Sequence, residues 1–135
     1  MTNATTRTRL FDPLKLLTLG RATVASSGLF APNLFAKVFR MNAVGTPAIP
    51  MIRMFAVRNA LLAAGLARLS AFSAPRTFIG INVLVDAVDA IALIAAGRRH
   101  EIPRFTTVVG TWVALSAVGM GAAAFADSRD DTSTS

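Results

Sequence analysis

Cysteine is absent from this 135-residue chain, which excludes a disulfide framework and any thiolate metal site. Histidine occurs once, as His100 in a charged turn. That excludes a histidine pair for a metal, and an ordinary solvated role is expected for it. No grouping of Ser, His and Asp points to an activated nucleophile, and no glycine-rich phosphate loop is present. Catalytic residues, a metal and a cofactor are therefore not expected, and the chain reads as a non-enzyme. Charge is scarce, at 16% of residues against about 25% in an ordinary soluble domain. A cleavable export signal needs a clean apolar core of roughly 7–15 residues, and Lys15 and Arg21 interrupt the only candidate.

What the chain does have is apolar residues, 53% of the total, with a mean hydropathy of +0.55. They fall in long blocks instead of alternating, which favours a bilayer over a soluble core. The length suits one helical domain and is too short for two cores. The net charge of +7 comes from twelve arginines and two lysines. These residues flank the apolar blocks, and no basic run is interleaved with aromatics. Lipid headgroups are thus the expected partner, and nucleic acid is not.

The expected organisation is all-α: a four-transmembrane-helix bundle with short loops between disordered polar termini. Residues 1–13 form the first tail, ending at Asp12-Pro13, and 127–135 the second. Spanning helices are expected at about 14–36, 51–73, 77–97 and 105–126, within a single domain 14–126. Each is close to the ~20 residues that a spanning helix requires. The first block is the least apolar, with Arg21 inside and Pro32 near its end, and an interfacial or re-entrant segment is the alternative there. Gly45, Pro47 and Pro50 break the chain before the second block. On the fourth, Gly110, Ala114, Ala117, Gly121 and Ala124 recur on one face. Such a small-residue seam lets helix backbones approach closely, within the chain or in a homo-oligomer.

Four spans put both termini on one side of the cell membrane. Six basic residues then fall on each side, leaving Arg21 and Arg58 within the spans, so the count gives no orientation. Arg7 and Arg9 beside the first helix tilt the N-terminus toward the cytoplasm.

The third block, IGINVLVDAVDAIALIAAG, carries Asn82, Asp86 and Asp89 at i, i+4 and i+7. At 3.6 residues per turn they fall within about 60° of one another. Carboxylates at that depth must face the bundle and find cations, take up protons or meet water. Matching heights along antiparallel helices at ~1.5 Å per residue pairs Arg21 with Asp86 and Arg58 with Asp89. Asn59 and Asn82 are expected to add hydrogen bonds. Such pairs fix helix register, or they form a proton, ion or headgroup site.

Three stretches, LGRATVASSGLFAP, RMFAVRNALLAAGLA and DAVDAIALIAAGRR, carry a likeness over about 14–126. There the chain resembles the small uncharacterised four-helix integral membrane proteins of high-GC Gram-positive bacteria, of the domain-of-unknown-function type. Members show Gly-x-Arg-Asp/Glu where this chain has Ala56-Val57-Arg58-Asn59, which leaves Asp89 as the more necessary partner of Arg58. The resemblance implies membrane location and four helices, and no activity. A non-enzymatic accessory or lipid-contacting bundle is the expected function. A small proton-coupled exporter subunit acting as a dimer is the alternative, although such exporters carry an acid in the first helix where this chain has Arg21. The DxxD pair also resembles a fragment of the CDP-alcohol phosphotransferase pattern. It lacks the following glycine and the second aspartate pair, leaving too few hard oxygen ligands for two metals.

Overall fold

The structure, a computed structural model, describes residues 12–130. Every regular element among them is helical: α1 (Pro13–Phe30), α2 (Pro32–Val38), α3 (Ala48–Ala67), a 3₁₀ turn (Leu69–Ala71), α4 (Pro75–Arg98) and α5 (Arg104–Asp130). Three of these, α3, α4 and α5, are long and apolar enough to cross a membrane. The expected count of four therefore holds for three helices by length and composition. The first block differs.

That block, expected to be continuous over 14–36, is two helices meeting at Ala31-Pro32. Proline has no amide hydrogen to donate, and its ring crowds the carbonyl four residues back and the residue before it. Ala31 accordingly leaves helical geometry, and Pro32 starts α2 as its first residue. At the other end of α1, Asp12 is part of the helix signal and not the end of a tail. Its carboxylate accepts from the Leu14 amide at 3.0 Å and the Lys15 amide at 3.4 Å, with Pro13 as first helical residue. Residues 1–11 of the expected tail lie outside the described part.

The second block begins three residues earlier than expected, at Ala48, because Pro50 still lies in the first turn, where a missing amide hydrogen is tolerated. It ends at Ala67, and the remainder of the expected 51–73 segment becomes the 3₁₀ turn and a bend. Helix α5 runs on to Asp130, past the expected boundary at 126. Polar composition alone does not stop a helix, and no Gly or Pro follows Gly121. Residues 131–135 lie outside the described part.

Helices α2 and α4 end the same way. The amide of Met41 reaches back to the Ala36 carbonyl at 2.8 Å, and that of Glu101 to the Ala96 carbonyl at 3.0 Å. This closure needs a left-handed residue just before the bonding amide, usually glycine. Here Arg40 (φ 52) and His100 (φ 58) occupy it. The lone histidine is therefore an exposed helix-end residue.

The helices form two hairpins. Helix α1 packs along α3 and α4 along α5; α1 also meets α5, whereas α3 and α4 touch only lightly. Small residues permit the close approaches. A side chain at Gly28 would collide with Ala56 Cβ at 2.8 Å, and one at Gly121 with Val83 Cγ2 at 2.7 Å. Gly97 faces Thr107, and Gly65 faces the Phe78 ring. The α5 seam is used within the chain: Gly110 meets Leu93, Gly121 meets Val83 and Leu17, and Ala114, Gly121 and Ala124 are buried, with Ala117 against the apolar cluster. That cluster, Leu17, Leu66, Ile79 and Ala124, fills the end of the bundle nearest the start of α1. At the opposite end, Thr106 at the start of α5 donates to the Phe39 carbonyl, tying α5 to the end of α2.

Candidate functional site: a buried Arg–Asp layer

Between the apolar cluster and the far end, the interior becomes polar. Arg21, Asn59, Asn82 and Asp86 are all buried, at 4%, 5%, 0% and 5% exposure. Large apolar side chains point the other way: Leu19, Met54, Leu61, Leu84, Ile91, Val108 and Trp112 are each more than 60% exposed. A soluble domain rarely leaves such surface bare. The distribution suits hydrocarbon outside and polar contacts within.

Arg21 reaches across the bundle from α1 to α4. Its Nη2 donates to Asp86 Oδ2 at 2.6 Å, a charge-assisted bond, and its Nη1 donates to Asn59 Oδ1 on α3 at 2.9 Å. One guanidinium thus joins three helices and both hairpins. Asn59 is oriented by its own Nδ2, which donates to the Phe55 carbonyl one turn earlier at 2.9 Å.

The second pair lies on the flank where α3 and α4 touch lightly. Arg58 meets Asp89 through two bonds, Nη1 to Oδ1 at 2.9 Å and Nη2 to Oδ2. This bidentate fork fixes both planes. The guanidinium also lies 4.8 Å from the centre of the Phe55 ring, a cation–π contact. In contrast to the first pair, Arg58 and Asp89 keep 35% and 23% of their side-chain surface exposed.

Asn82 departs from its expected role. Its Nδ2 donates to the Phe78 carbonyl within α4 at 2.9 Å, and it makes no bond to either arginine. The amide end of Asn82 is taken up by the carbonyl four residues back, as that of Asn59 is, but no arginine reaches its oxygen. Because the carbonyl must be met by the amide end, the Asn82 Oδ1 faces the interior. It and Arg21 Nε are buried without a hydrogen-bond partner among the described residues. One is an acceptor and the other a donor.

The two carboxylates do not converge as a metal site would require. Each is held by its own arginine, and among the described residues no three His, Cys, Asp or Glu side chains gather to hold a cation. Two surface grooves lie near the helix ends, one beside Arg98 and Arg99 and one beside Arg76 and Phe125; neither is lined by a residue of the charged layer. Arginine–ring contacts that sequence reading did not reach flank the bundle. Arg40 lies over Phe105 at 4.8 Å and Arg76 over Phe125 at 5.0 Å. The Arg58–Phe55 spacing of i, i+3 was the one such signal available in the sequence. No family model, curated protein or solved structure matches the chain.

Proposed function

We propose that the chain is a non-enzymatic bundle of four spans in the cell membrane, with both termini on one side, an accessory or lipid-contacting component. In this reading α1 with α2 supplies the fourth span despite its lower apolarity. The observation that carries it is the Arg21–Asp86 contact. Asp86 lies at the midpoint of α4, an apolar helix of 24 residues, so the group that bonds to it must reach the same depth. Helix α1 buries Leu17, Arg21, Ala25 and Gly28 along one face, as an inserted helix would.

The charged layer then acts as a clasp between the hairpins, holding their relative height. A bare carboxylate at the bilayer centre costs at least ~2.5–3.5 kcal/mol, so any slip that separates the pairs is disfavoured. Asp86→Asn and Asp89→Asn are therefore expected to lower the monodisperse folded yield in detergent, Asp86→Asn the more. In vesicles with an entrapped pH dye and an imposed potential, wild type is expected to pass no more protons than protein-free vesicles. Normal yield of either variant, together with a wild-type proton flux that the variant lacks, would replace this reading with that of a transporter.

A further inference from the structure

Resting on the four-span reading, we infer that a second copy of this chain covers the α3–α4 flank, so that two Arg58–Asp89 pairs form one four-charge ring. Asp89 lies only about 4 Å beyond the midpoint of α4 at 1.5 Å per residue, well inside the hydrocarbon. Yet the Arg58 and Asp89 side chains are 35% and 23% exposed there. Hydrocarbon solvates neither group.

The occupant follows from charge and depth. The pair is neutral, so neither a free cation nor an anion is drawn to it. Headgroups lie about 15 Å from the midplane of a 30 Å core and do not reach it. What complements a dipole is an opposed dipole. A twofold axis along the membrane normal reverses the in-plane component of the pair, setting Arg58 against Asp89 of the second copy and the reverse. Contact surfaces of this kind are self-complementary. Both pairs sit at one depth automatically, because the two copies are inserted alike.

The surroundings fit a helix partner. The exposed Phe55 ring on α3 lies against Arg58, and Met51, two turns earlier at i−7 from Arg58, shares its face and is exposed too. On α4, Ala92 and Ala96 follow Asp89 at i+3 and i+7 and share its face, and both are small enough for a second backbone to approach. The α5 seam cannot serve this purpose, since its glycines already meet Leu93, Val83 and Leu17.

The absence of native cysteine makes the test direct. Ala92→Cys, in isolated membranes treated with a short bis-maleimide, is expected to shift to a dimer band. Trp112→Cys, on α5 and 70% exposed, is expected to stay monomeric. Arg58→Asp and Asp89→Arg each place two like charges in one chain, and each alone is expected to lose the folded protein. Co-expressed, each supplies the charge that the other lacks, and folded, linkable protein is expected to return. Membrane-embedded, folded Ala92→Cys that gives no linked product overturns the inference while leaving the bundle intact. Protein found in the aqueous fraction overturns the bundle itself.

Discussion

Arg21 and Arg58 are the same residue type bound to the same acid type, yet their surroundings give them different weights. Arg21 is sealed between helices with Asp86 and Asn59, whereas Arg58 keeps a third of its side-chain surface. Breaking a buried pair by removing one partner leaves a bare charge and costs about 3–5 kcal/mol, while replacing both partners by apolar groups is often neutral. Arg21→Met is accordingly expected to destabilise by about that amount, and Arg21→Met with Asp86→Leu by far less. Arg58→Met is expected to fall below Arg21→Met. Equilibrium unfolding in mixed micelles measures all three. Both pairings were legible in the sequence because depth is a one-dimensional quantity that residue counting supplies. The behaviour of Asn82 was not, because a bond to its own helix has no signature in spacing.

Among the elements, α1 is set by what it must pass. Gly28 lets its backbone approach Ala56 and Ile52 of α3, and a Cβ there would lie 2.8 Å from Ala56 Cβ. Gly20, on the same helix, has nothing within 4 Å of the position a Cβ would take. Gly28→Val is therefore expected to destabilise by about 1–3 kcal/mol through overpacking. Gly20→Ala is expected to be neutral or to stabilise by up to about 1 kcal/mol through helix propensity. Thermal unfolding in one detergent separates them, and equal losses at both sites would contradict the packing described. The three most apolar helices could be read from composition, but their ends could not. A proline three residues into α3 and a polar run at the end of α5 look like boundaries in a composition profile. In the chain they are a tolerated first turn and a continued helix.

For the molecule as a whole, apolar bulk along the helices faces outward while the Arg21–Asp86 pair is buried inside, the reverse of a water-soluble bundle. Four spans require the two termini to share a side, and three would separate them. Reporters fused to the N- and C-terminus in turn are expected to give the same sidedness, and opposite signals would place α1 at the surface. All-helical architecture, with three helices long and apolar enough to cross a membrane, followed from block length and the scarcity of charge. That the blocks pair as α1 with α3 and α4 with α5, leaving α3 and α4 barely touching, did not. Such pairing depends on where glycines face neighbours, which no single helix reveals.

The bond from Arg21 to Asp86 joins residues 65 positions apart. A ribosome adding roughly 5–20 residues each second exposes the arginine some 3–13 s before its acid exists. In the four-span reading, the guanidinium through that interval lacks Asp86 and is best accommodated among phosphates at the bilayer surface. Helix α1 is thus translated before the partner that fixes it, and its final seat must wait for α4.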